Sequence, residues 1–132
     1  MNTMNTMNTM NKKRILVVDD SPAVIKRLTM IIENLGYEVV GSAVNGLDAI
    51  AKSRELQPDA ITMDIQMPEM DGLEATTRIL QDNPDKPIII ITAHGQEKTV
   101  LKAISIGAKH FICKPIDKDK VAEVLSKVFA QN

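Results

Sequence analysis

The chain has 132 residues, 44% of them hydrophobic and 25% charged, with a formal net charge of −1. That length suits one compact domain and leaves little room for a second. Near-neutral charge and only 2% aromatic residues give no basis for nucleic acid or an anionic membrane as partner, since neither a cationic field nor a stacking platform is available.

Residues 1–11 repeat Met-Asn-Thr without helical or strand period and read as a disordered arm or artefact, outside a folded domain spanning 12–132. They lack the charged-then-apolar pattern of a signal peptide, and no later apolar run approaches the roughly 20 residues that a bilayer span needs. A cytoplasmic protein without membrane insertion is expected.

From Lys12 onward, short apolar runs alternate with longer amphipathic stretches. Ile15 to Val18 is apolar throughout, as in a strand buried on both faces. Ser21-Pro22 starts a helix, with Val24, Ile25, Leu28, Ile31, Ile32 and Leu35 at helical spacing and Gly36 at its end. Glu38 to Ala43 reads as a less buried strand, Asn45-Gly46 as a turn, and the next helix carries Leu47, Ile50 and Ala51 until Pro58 forbids continuation. Asp59 to Asp64 is a third strand, followed by the loop from Gln66 to Asp71 and a helix opened by Gly72. Pro87 to Thr92 holds four consecutive isoleucines, the most β-prone run of the chain. Gln96 to Ile106 is a helix ended by Gly107, Lys109 to Cys113 a fifth strand, and Asp117 to Phe129 a last helix. Cys113 is the single cysteine, which precludes an intrachain disulfide and suits a reducing compartment; its apolar neighbours suggest a buried thiol. Fivefold strand–helix alternation with right-handed crossovers predicts an α/β fold, an open parallel sheet with helices on both faces.

Polar residues end the buried strands: Asp19-Asp20 the first, Asp64 the third, Thr92 the fourth, Lys114 the fifth. Ligands of open α/β sheets bind beyond the carboxyl ends of the strands, so these residues are predicted to share one rim. Crowded carboxylates repel, and one lysine cannot balance three of them. A divalent cation with oxygen ligands is the natural partner, and Mg²⁺ keeps coordination positions open for phosphate oxygens. A carboxylate, a metal, a lysine and a hydroxyl together suit phosphoryl transfer. Singly, each residue is ordinary: a strand-end aspartate is commonly a helix cap, and a lone lysine a solvated charge. Their joint placement favours function.

Four motifs in order, Ile15-Leu16-Val17-Val18-Asp19-Asp20-Ser21, Asp64 through Gly72, Ile91-Thr92-Ala93 and Phe111-Ile112-Cys113-Lys114-Pro115, resemble the receiver domains of two-component response regulators. The resemblance runs from about Lys12 to Phe129 and is greatest to the single-domain chemotaxis (CheY-type) group. It implies a flavodoxin-like five-stranded sheet of order 2-1-3-4-5 with five helices. It also implies that Asp64 takes a phosphoryl group from a sensor histidine kinase. Asp20, Asp64 and the Gln66 carbonyl would bind Mg²⁺ directly and Asp19 through water, Lys114 would contact the acyl phosphate, and a cis bond would precede Pro115. Thr92 and Phe111 would be the switch pair, and the face formed by the fourth helix, fifth strand and fifth helix would meet a downstream target. Such a domain catalyses its own phosphorylation and dephosphorylation without being a conventional enzyme, and is expected to be a monomer. Gln66 and His94 stand where receivers tune phosphoryl lifetime, although His94 reads equally well as an exposed loop histidine. Ile116 stands where many receivers carry an aromatic, which bears on partner choice.

A phosphorelay intermediate and a constitutive pseudo-receiver are the alternative readings; the second usually loses an acidic residue or the lysine, and this chain has the full set. A haloacid-dehalogenase-type phosphatase shares the chemistry but places its nucleophile after the first strand in an Asp-x-Asp arrangement, and no residues are spare for its cap. With the last helix ending near Asn132, output is expected through a partner protein rather than an appended DNA-binding domain, unless the chain is cut from something longer.

Overall fold

The computed structural model describes residues 12–67 and 70–130, so the repeat arm expected at 1–11 lies outside the described residues. Five strands, β1 (Arg14–Val18), β2 (Glu38–Ala43), β3 (Ala60–Asp64), β4 (Ile88–Thr92) and β5 (His110–Cys113), alternate with five helices. The helices are α1 (Pro22–Asn34), α2 (Gly46–Leu56), α3 (Gly72–Asp82), α4 (Glu97–Ile106) and α5 (Lys118–Ala130). The strands form one sheet of order β2-β1-β3-β4-β5 with parallel pairing throughout, as the resemblance implied.

Strand periodicity divides the core in two. Leu16, Val18, Ile61, Met63, Ile88 and Ile90 face α2, α3 and α4, where Ala49, Ile50, Ala75, Ile79 and Ala103 meet them. Ile15, Val17, Ile89, Ile91 and Ile112 face α1 and α5, against Leu28, Ile32, Val121, Leu125 and Val128. The four isoleucines of β4 thus split two and two between the layers, each at most 2% exposed. Burying each contributes about 1.5–3 kcal/mol, which makes β4 the shared wall of both halves.

Helix starts lie at the carboxyl rim of the sheet, and short polar side chains fix three of them. Ser21 Oγ accepts from the Val24 N–H at 3.4 Å, Asn45 Oδ1 from Asp48 at 2.8 Å, and Asp71 Oδ1 from Glu74 at 3.0 Å. α4 differs: Gln96 precedes it without any side-chain capping bond. Gly36 closes α1 as expected, at φ +98°, where the Gly36 and Tyr37 N–H groups return to Glu33 and Ile32 carbonyls.

Several boundaries move by one residue for local reasons. β1 starts at Arg14, whose N–H donates to Asp59 Oδ2 at 2.7 Å. β4 starts after Pro87, which has no N–H to donate. Asp117 stands just outside α5, its carboxylate accepting from the Asp119 N–H at 3.1 Å.

Candidate functional site

The strand-end residues converge. Asp19 directly follows β1, Asp64 ends the adjacent β3, Thr92 ends β4, and Lys114 follows β5. One carboxylate oxygen from each of Asp19, Asp20 and Asp64 lies within 4.8 Å of the others. Asp19 and Asp64 are buried, at 1% and 5% exposure, whereas Asp20 faces solvent. The Lys114 ammonium reaches in from the far side and stands 3.8 Å from Asp19 Oδ2.

Local backbone aims these groups. The Ser21 N–H donates to Asp19 Oδ1 at 2.9 Å, and the Gln66 N–H to Asp64 Oδ1 at 3.1 Å. Asp19 Oδ2 is buried without a hydrogen-bond partner. A buried carboxylate oxygen left without a donor is costly, and a cation relieves that cost. Three clustered carboxylates, one bearing that orphaned oxygen, fit a hard divalent cation with oxygen ligands.

The electrostatics agree. Burial pushes the Asp64 carboxyl up to about 6, and the charges of Asp19 and Asp20 add to the effect; the Gln66 N–H and Lys114 oppose it. Burial also raises Asp19, against the Ser21 N–H and Lys114, with Asp20 raising it further. Both shifts follow from withdrawing negative charge from water beside more negative charge.

Thr92 is buried, but its hydroxyl donates to the Ala93 carbonyl at 3.3 Å. Phe111 is half-buried and packs against the core layer under α4. With Thr92, Val100, Leu101, Cys113 and Lys120 it lines a groove of about 530 Å³. Cys113 is only half-buried there, because it ends β5 and borders this groove; the expected buried thiol is corrected. Gln66 and His94 are exposed. The Lys114–Pro115 bond is cis.

Sequence reasoning missed the Ser21 N–H on Asp19, although Ser21 lies only two residues beyond it. It missed the tie from the Arg27 guanidinium to the Ile116 carbonyl at 2.9 Å, which joins α1 to the segment before α5 and has no local signature. It also missed how closely the chain after Asp64 is packed against the starts of α2 and α3.

Comparison with known proteins identifies the family and the fold. The family described as response regulator receiver domain matches residues 15–126. The chemotaxis protein CheY of Thermotoga maritima is 47% identical over 116 residues, covering 88% of this chain and 97% of that protein. CheY of Bacillus subtilis is 45% identical, with 86% and 95% covered. Among solved structures, the CheX–CheY–BeF3–Mg+2 complex from Borrelia burgdorferi matches with a TM-score of 0.84 and 35% identity over 89% of each chain. The response regulator domain of Thermotoga maritima CheB matches at 0.77 and 39%, over 89% of this chain and 94% of that one.

Proposed function

This chain belongs to the response regulator receiver family, a CheY-type signalling switch of two-component systems, and from that premise we propose that it works by reversible phosphorylation of Asp64. The observation that carries the reading is the carboxylate cluster of Asp19, Asp20 and Asp64, with a buried Asp19 oxygen that no hydrogen bond reaches.

The Gln66 N–H occupies Asp64 Oδ1, so Oδ2 is the free nucleophile. Oδ2 attacks the phosphorus of a phosphohistidine on a sensor kinase; the new O–P bond forms as the N–P bond breaks, and the imidazole leaves. Mg²⁺ held by the three aspartates and the Gln66 carbonyl would offset charge on the transferring oxygens. Lys114 turns from Asp19 toward the acyl phosphate and neutralises one of its oxygens. Thr92 gives up the Ala93 carbonyl and donates to another, and Phe111 moves into the space released. Gln66 and His94, at the mouth of the site, set how easily water reaches phosphorus.

This is a population shift biased by a local charge. Its readout is the groove between α4, β5 and α5, where Leu101 is 65% exposed. A downstream target protein binds there, and the similarity to two CheY proteins along nearly their whole length supports a chemotaxis pathway in the cytoplasm. No described helix is long and apolar enough to cross a membrane.

Incubation with acetyl phosphate tests the reading. One phosphoryl group per chain is expected, dependent on Mg²⁺ and absent from Asp64→Ala. No incorporation at saturating donor and metal would remove it.

A further inference from the structure

Two glycines outside the carboxylate cluster stand where no other residue fits. A Cβ on Gly72 would meet the Asp64 carbonyl oxygen and come within 2.7 Å of Ile65 Cα. A Cβ on Gly46 would come within 2.5 Å of the Met70 carbonyl oxygen, while the Gly46 N–H already donates to that oxygen at 3.1 Å. The nearest obstacle in each case is a backbone oxygen, which cannot swing aside as a side-chain tip does, and at Gly46 the Met70 Cβ and Cγ crowd the same point. Gly41 shows the contrast, since a Cβ there meets the end of the Leu56 side chain.

Both contacts fall on the chain that leaves Asp64. At its near end Gly72 backs the Asp64–Ile65 peptide, from which the Gln66 N–H returns to Asp64 Oδ1. At its far end Gly46 holds Met70, which with Met67 is 9% exposed in the core. Asp71 then caps α3. Neither glycine needs its conformational freedom, because neither has positive φ. What each supplies is the absence of a side chain at a point of backbone contact.

We propose that Gly46 and Gly72 are positioning residues of the phosphoryl-transfer site, a backbone clamp by which the starts of α2 and α3 hold Asp64 and Gln66 in register with Asp19 and Asp20. The inference rests on the function proposed above and adds how its nucleophile is aimed. An alanine at 72 must drive the Asp64–Ile65 backbone away by the better part of an ångström. Misplacement on that scale costs on the order of 10²-fold in rate.

Coupling is reciprocal: if the closed clamp favours metal binding, metal binding must favour the closed clamp. In the wild-type chain, hydrogen exchange at the Gly46 amide is therefore expected to slow when Mg²⁺ is added. An exchange rate indifferent to saturating Mg²⁺ overturns the clamp without any variant. In Gly72→Ala, the metal-free Gln66 amide resonance should move, Mg²⁺ affinity should fall, and acetyl phosphate labelling at saturating Mg²⁺ should drop on the order of 10²-fold. Gly36→Ala is the control. Its φ of +98° makes alanine strained, yet nothing lies within 4 Å of the added atom, so it should lose stability while keeping wild-type metal binding and labelling. A folded Gly72→Ala with wild-type affinity and rate also overturns the inference, and if that variant does not fold, the Gly46 exchange decides. Wild-type protein that neither binds Mg²⁺ nor takes label sinks the phosphorylation reading itself, a result separate from either outcome.

Discussion

At pH 7 and without metal, Asp64 is ionised in a place that resists ionisation. Its carboxyl, raised from the usual 3.8 to about 6, binds a proton more tightly folded than unfolded. The stability tied to that proton is therefore fully present below pH 3.8 and lost as pH rises through about 6. The difference corresponds to no more than about 3 kcal/mol at neutral pH. Asp64→Asn, which keeps the shape and removes the charge, should unfold at higher urea than wild type in EDTA at pH 7, and the gap should narrow as pH falls toward 4. Equal midpoints at pH 7 would contradict the electrostatic account. Wild-type Mg²⁺ affinity should correspondingly weaken below about pH 6. At this scale the sequence was legible where a polar residue ends a buried apolar run, as Asp64 and Thr92 do. The direction of the Thr92 hydroxyl and the partial exposure of Cys113 were not, because neighbours from other strands and helices set them.

Among the elements, β5 would carry the proposed switch. Phe111 and Cys113 border one groove with Thr92, whose ladder partner is Cys113, so movement at the site has a short path to the surface. The chain has no tryptophan, and Phe111→Trp would place a single reporter in the groove. Beryllofluoride with Mg²⁺ should shift its emission to the blue as the ring moves inward, and Thr92→Ala in the same background should diminish the shift. An unchanged spectrum at saturating beryllofluoride would separate Phe111 from the switch. Element identity was legible throughout, since each apolar run or helical stripe became the element expected. The ends moved by single residues where a side chain such as Asp59 or the missing N–H of Pro87 intervened.

For the whole molecule, an ion held by the aspartate cluster would tie binding to folding. A ligand that binds only the native state stabilises it by RT ln(1 + [L]/Kd), about 2.7 kcal/mol at one hundred times Kd. Mg²⁺ should therefore raise the thermal midpoint of wild type in a concentration-dependent way, chelation should reverse it, and Asp19→Ala should abolish the response. A midpoint indifferent to Mg²⁺ would count against the metal site. The global fold was legible because β1, β3 and β4 are apolar at nearly every position, which leaves helices on both faces as the way to cover them. The glycine contacts were not, since close approach of two backbones leaves no periodic trace in the residues.

Three helices begin under a polar side chain that secures their first turn, and α4 begins under none. Such an anchor contributes about 0.5–2 kcal/mol where it exists. The opening turn of α4 accordingly costs less to unwind or rotate than those of α1, α2 and α3, and it starts only a few residues beyond Thr92. A disturbance too small to loosen those three capped starts would still redraw that stretch, so the groove beside it can change shape while the carboxylate rim keeps its own.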